Sequence, residues 1–174
     1  RLVFGGVVGV VLGAQLGLGP IEPSPHFALL VGNIFAFAVT MRPSARLKLI
    51  SKTKLSPTTY EFAFQPDRKL TFKPGQYMDF TLSGVKLDQR GNRRTFTIAS
   101  PPEDEQIRIA VKFYNPGSQF KKRLLSLKNN DGILGNHIAG DFILPADTNQ
   151  PLVFVAGGIG VTPYISILQH LLIN

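Results

Sequence analysis

The chain has 174 residues, carries 19 Lys plus Arg against 11 Asp plus Glu for a net charge of +8, and contains no cysteine. The absent thiols exclude disulfides, thiolate metal sites and cysteine nucleophiles within it. The basic surplus favours anionic partners such as nucleotides and lipid headgroups, but the cations are scattered rather than gathered in one arm, which argues against nucleic acid.

Residues 2–19, "LVFGGVVGVVLGAQLGLG", carry no charge, and residues 26–41, "HFALLVGNIFAFAVTM", form a second charge-free run. A helical span of a bilayer takes about 20 apolar residues. With the turn "PIEPSP" between them, the two runs predict a transmembrane hairpin. Arg1 before the first run, and Arg42, Arg46, Lys48, Lys52 and Lys54 after the second, place both ends on the cytoplasmic side. Glycines 5, 9, 13 and 17 recur at a spacing that admits close helix packing. This reading gives a protein of the cell membrane, in contact with the lipid bilayer, whose polar part faces the cytoplasm. His26, His137 and His170 show no metal-ligand spacing, and no metal is expected.

From residue 44 the pattern changes to period two. The runs 45–55, 59–66, 76–82, 93–100, 106–114 and 140–145 alternate apolar with polar residues between Pro, Gly and Ser punctuation. Six short strands so spaced predict an antiparallel barrel or sandwich. One helix is expected over 118–128, with Phe120, Leu124 and Leu127 on one face. Residues 151–157, "PLVFVAG", read as a strand buried on both faces. The turn "GIGVTP" follows, and then a helix with Ile165, Leu168 and Leu172 aligned. Strand, glycine turn and helix open an α/β nucleotide-binding domain. A single such unit cannot bury its own sheet face, so the chain is expected to be a piece of a longer protein that continues past Asn174.

The stretch "RRTFTIAS" at 93–100 sets arginines beside a half-buried strand. Arg94 offers a planar fork for a phosphate. Phe96, two residues on and on the same strand face, offers a ring platform, and Thr97 offers a hydroxyl for a ring nitrogen. Together they suit a flavin. The plainer alternatives are an Arg94 paired with Asp88 or Glu103, core roles for Phe96, Phe113 and Phe120, and a helix N-cap role for Ser118.

The chain from about residue 44 resembles the ferredoxin–NADP+ reductase superfamily, whose barrel motif of Arg, any residue, Tyr or Phe, then Ser or Thr is matched by Arg94, Thr95, Phe96 and Thr97. The resemblance implies that Arg94 binds the flavin pyrophosphate, that Phe96 packs near the isoalloxazine, and that Thr97 bonds its N5. "PGQYMDF" (74–80) resembles the strand before that motif, and "AGDFILP" (139–145) resembles the strand that closes the barrel. "IAVKFYNPGSQFKKRLLSL" (109–127) resembles the strand, turn and helix touching ring and pyrophosphate, with Val111, Lys112, Phe113, Gly117, Ser118 and Phe120 as candidates. "AGGIGVTP" (156–163) resembles the pyridine-nucleotide turn, giving Gly157, Gly158, Gly160, Thr162 and Pro163, with Thr162 near the nicotinamide. Thr97 and Thr162 are the expected catalytic pair.

The expected architecture is β plus α/β. It comprises a two-helix transmembrane hairpin (1–43), a six-stranded antiparallel flavin-binding barrel with one helix (44–148), and the first βα unit of an NAD(P)-binding domain (149–174). The activity implied is membrane-anchored electron transfer from NAD(P)H through FAD, favoured over FMN, to a redox partner in the membrane or an electron-carrier protein. Hydride would pass from nicotinamide C4 to flavin N5. The alternatives are a non-catalytic, membrane-tethered flavin- or nucleotide-binding module and a haem-linked ferric-type reductase.

Overall fold

The structure, a computed structural model, describes residues 25–40, 44–84, 91–147 and 151–174. The chain divides into two units, Arg1–Pro43 and Ser44–Asn174. In the first, the described part is helix α1, Pro25–Thr40. Its 16 residues reach about 24 Å at the α-helical rise, short of a hydrocarbon core of about 30 Å. Among the described residues no helix is long and apolar enough to cross a membrane. The expected hairpin is therefore not supported, and its first run, 2–19, lies outside the described residues.

The second unit is built on six strands: β1 (Ala45–Ser56), β2 (Thr59–Pro66), β3 (Tyr77–Thr81), β4 (Arg93–Thr97), β5 (Ile107–Lys112) and β6 (Gly132–Ala139). They pair antiparallel in the order β4-β3-β6-β1-β2-β5. Alternation decides which face is buried. In β1, Ala45, Leu47 and Leu49 are buried while Arg46 and Lys48 are exposed. Beyond Leu49 the pairing of β1 with β2 slips twice, and such bulges bend a strand so that a sheet can curl. The curl brings the outer strands β4 and β5 together, and the Ala99 amide donates to the Arg108 carbonyl across the seam at 2.7 Å. Inside lie Phe62, Phe64, Met78, Phe80, Ile109, Val111 and Ile133.

Helix α2, Gln119–Ser126, completes this core with Phe120 and Leu124, and Leu127 just beyond it is buried too. Lys52 of β1 caps its far end, with Nζ donating to the carbonyls of Leu125 (2.6 Å) and Leu127 (3.3 Å). A cation there meets the unpaired carbonyls and negative end of the helix dipole.

The sixth strand differs from the expected one. It is Gly132–Ala139, whereas 140–145 has no strand. Glycines in "GILGNHIA" look like turn residues, yet Gly135 serves packing. A Cβ there would lie 2.8 Å from Leu47 Cδ1 and 2.9 Å from Met78 Cε, so any larger residue would make these core side-chain ends shift. The expected strand fails at Gly140, whose φ of +119° is open to glycine and turns the chain out of the sheet.

The last segment also departs from expectation. Residues 151–157 form no strand, and Val153 and Val155 are 86% and 80% exposed. A strand exists only through ladder hydrogen bonds to a neighbouring strand, and this run joins no ladder among the described residues. A 3-10 turn, Gly158–Val161, leads into helix α3, Thr162–Ile173. The face α3 buries carries Thr162, Ser166 and Ile167. Leu168 and Leu172, expected on the packed face with Ile165, are exposed.

Candidate functional site

Pairing places Phe80 of β3 opposite Arg94 and Met78 opposite Phe96. Residues paired across an antiparallel ladder share a face, so Arg94 and Phe96 point to the core side of β4, at its open edge. There they meet the first turn of α2. The Arg94 guanidinium carbon sits 5.4 Å above the Phe120 ring, and the Phe96 ring lies 6.0 Å from Phe120 and 5.8 Å from Phe80. Nη1 of Arg94 donates to the carbonyls of Gly91 (3.1 Å) and Arg93 (2.6 Å), which fixes the head of the side chain at the entrance to the strand.

Ser118 caps α2, its hydroxyl accepting from the Lys121 amide at 3.3 Å. A capped N-terminus still presents first-turn N–H groups and the positive end of the helix dipole. Gly117 precedes it at a close approach, since a Cβ there would lie 3.0 Å from the Tyr114 carbonyl. A guanidinium and a helix N-terminus thus converge over one ring, which is donor chemistry for a diphosphate.

The remaining barrel candidates divide. Val111 is buried in the core, so only its backbone is available to a ligand. Phe113 packs edge-on to Tyr60 at 5.5 Å. Lys112 Nζ lies 5.3 Å from the exposed Tyr114 ring. Thr95 faces the other way, its hydroxyl donating to Asp79. Arg93 (3.7 Å) and His137 (3.6 Å) lie beside the same carboxylate. Thr97 ends β4 opposite Tyr77, on the Thr95 face rather than with Arg94 and Phe96.

Two neighbours of the site were not singled out in the sequence. Tyr114 is exposed, and Lys121 donates from Nζ to the Lys112 carbonyl and lies 5.3 Å from the Tyr114 ring. Burial pushes the Lys121 ammonium pKa down, because desolvation disfavours the charged form. The only sequence signal was its place three residues after the cap. Glu103 Oε1 meets His170 Nδ1 at 2.8 Å. Asp88 lies outside the described residues.

The glycine turn is a separate cluster on the same unit. Gly157, Gly158 and Gly160 are exposed with open space where a Cβ would stand, and Gly158 has φ +55°. The Gly160 amide donates to the Gly157 carbonyl at 3.0 Å. Thr162 is buried, its hydroxyl donating to the Ile159 carbonyl, and Pro163 occupies the first turn of α3. This turn lies against β5, the strand that also carries Val111 and Lys112.

Fold and site together define a curled six-stranded antiparallel barrel with a glycine turn beside β5. The family model for the oxidoreductase FAD-binding domain matches residues 46–141, more than half of the chain, and the chain belongs to that family. It is 33% identical over 112 residues to oxidoreductase NAD-binding domain-containing protein 1 of Pongo abelii, covering 60% of this chain and 33% of that protein. Against a flavohemoprotein of Bacillus cereus it is 28% identical over 132 residues, covering 71% of this chain and 33% of the relative. Among solved structures, a point mutant of ferredoxin–NADP+ reductase from Plasmodium falciparum in complex with 2'P-AMP matches with TM-score 0.65 and 25% identity, over 75% of this chain and 54% of that one. Flavohemoglobin from Malassezia yamatoensis with bound FAD and heme shares the fold at TM-score 0.61 and 23% identity, over 92% of this chain and 45% of that one. The chain spans about a third of the length of the curated relatives named.

Proposed function

We propose that this chain is the flavin-holding part of an NAD(P)H-dependent oxidoreductase that passes electrons to a membrane-side or protein acceptor. The observation that carries the reading is the convergence of Arg94, Phe96 and the first turn of α2, with Arg94 5.4 Å above the Phe120 ring. These residues fit FAD: the guanidinium and α2 would hold the diphosphate, and Phe96, Phe113 and Tyr114 would flank the ring systems. Bound FAD supplies the redox chemistry, taking two electrons as hydride and releasing them singly.

The chain's own residues bind and orient. Arg94 and the Ser118-capped turn neutralise the phosphates. Thr97 offers its hydroxyl at the rim of β4. Gly157, Gly158 and Gly160, with no side chains, admit a second diphosphate close to the backbone. Thr162 pins the Ile159 carbonyl and so holds the turn's shape, which makes it a positioning residue in this scheme. The contact of the turn with β5 supports the approach of a nicotinamide nucleotide from that side.

Membrane attachment and a cytoplasmic-facing barrel belong to the same proposal. They are supported by the charge-free run 2–19 and by the exposed apolar residues of α1, among them Phe27, Leu30, Ile34, Phe35 and Phe37. Carbonate extraction of membranes tests the attachment, and release of the protein into the supernatant rejects it. For the activity, the full-length protein is titrated with FAD and mixed anaerobically with NADH or NADPH. Tight flavin binding followed by bleaching is expected. A protein that binds no FAD refutes the reading, and one that binds it without bleaching is a flavin-binding module instead.

A further inference from the structure

We propose that Arg108 is the positioning residue that sets the glycine turn against the flavin barrel, a role resting on the reading above. Arg108 is the second residue of β5, between the buried Ile107 and Ile109, with its side chain on the outer face. Its Nη2 donates both to Asp104 Oδ2 at 2.7 Å and to Gln169 Oε1 of α3 at 3.0 Å. Its backbone amide donates to Ser100 Oγ at 3.1 Å, and its carbonyl accepts from the Ala99 amide. The Ser100 carbonyl accepts from Ser166 Oγ of α3 at 2.8 Å, and both serines are fully buried. One residue therefore ties the 99–104 loop, the barrel wall and α3 to each other.

The apolar side of this joint is thin. Ile167 is the one buried aliphatic residue of α3, close to Gly75 and the Phe142 carbonyl. Apolar burial is non-directional, so it holds α3 down without fixing its angle. Hydrogen bonds from a planar guanidinium are directional, and with the Ser166–Ser100 and His170–Glu103 bonds those of Arg108 fix that angle. Because the 3-10 turn runs straight into α3, a rotation of the helix swings Gly157–Val161 relative to β5. Nε of Arg108 is buried without a partner among the described residues. An unpaired buried donor is destabilising, a cost set against the bonds that Nη2 makes to Asp104 and Gln169. The family model covers the barrel, residues 46–141, and ends before the turn; the joint between them is assigned from contacts alone.

The test uses the full-length protein, with FAD affinity measured by flavin fluorescence and the rate of flavin reduction by saturating NADH or NADPH measured by stopped flow. Arg108→Met is expected to leave FAD affinity within about twofold, while slowing saturating reduction roughly tenfold to hundredfold, the scale set by small misplacements of reacting groups. Gln169→Ala is expected to act in the same direction and more weakly. The double variant is expected to be no slower than Arg108→Met alone, because both changes break one contact. Arg108→Lys, keeping the charge near Asp104 without the fork, is expected to fall between wild type and Arg108→Met.

Reduction by Arg108→Met at the wild-type rate overturns the proposal, as does strict additivity of the two single changes. A fall in FAD affinity parallel to the fall in rate also overturns it, since that marks a loosened barrel. Should Arg108→Met fail to fold, Gln169→Ala at wild-type rate overturns it equally. A wild-type protein that takes no electrons from either nucleotide removes the functional reading itself, an outcome read before any variant is compared.

Discussion

Replacing Arg94 with lysine keeps the charge and removes the planar fork. In the protein this guanidinium lies 5.4 Å over Phe120 while Nη1 reaches the Gly91 and Arg93 carbonyls. An ammonium cannot cover the ring, hold the turn and face a phosphate in one pose. Without ligand, the lost ring contact and carbonyl bonds amount to about 1 kcal/mol. With ligand, the loss of one charge-assisted hydrogen bond adds about 1.5–3 kcal/mol, which raises the Kd for FAD by about tenfold to 150-fold. Equilibrium binding followed by flavin fluorescence measures the second term, and urea denaturation without flavin measures the first. Arg93 is the internal control. Its side chain is 58% exposed on the opposite face, 3.7 Å from Asp79, so Arg93→Lys should shift FAD affinity by less than about twofold, as surface pairs do. If Arg94→Lys binds FAD within about threefold of wild type, the guanidinium holds the β4 turn and no phosphate, and the assigned site is wrong.

Gly75→Ala should destabilise the barrel by about 2–5 kcal/mol, combining the left-handed backbone cost with steric overpacking. Gly75 has φ +93°, and a Cβ there would sit 2.0 Å from the Phe142 carbonyl oxygen. Urea denaturation checks this, and a loss below about 0.5 kcal/mol refutes the packing argument. Acid should loosen α3 before the barrel. Desolvation raises the Glu103 pKa, but a backbone hydrogen bond and those from Asn174 and His170 outweigh it, and the net shift is downward. A carboxyl with a folded pKa below its unfolded one stabilises fully above the unfolded value and loses that contribution as pH falls through the folded value. Amide-exchange protection of α3, corrected for intrinsic rates, should therefore drop relative to β1 on acidification into the carboxylate range. An equal drop in Glu103→Gln would show that another group is responsible.

Much of the barrel was legible because its signals are local. Period-two alternation in "ARLKL" and "IRIAV" states which face is buried whatever the neighbours are, and Ser118 before an amphipathic run states where a helix begins. The strand 132–139 was not legible, since Gly132 and Gly135 imitate turn residues. What favours Gly135 is the packing of the Leu47 and Met78 side-chain ends against it, and those residues are distant in the chain. The glycine run at 157–160 could be read as a nucleotide turn, but the strand expected before it needs a hydrogen-bonding neighbour that the sequence of that segment cannot supply.

The motif Arg94, Phe96 and Thr97 shows the same division. Residue types and a spacing of two were enough to suggest phosphate and ring recognition and to put Arg94 and Phe96 on one face. The same alternation puts Thr97 on the other face. That the Arg94 face meets Phe120 on α2 and that Arg108 joins β5 to α3 depends on how a curled sheet brings β4 beside β5. Side-chain chemistry and backbone periodicity are properties of short segments and survive in a bare sequence. Contacts between segments dozens of residues apart are set by strand order, bulges and closure of the barrel, and only the folded chain decides them.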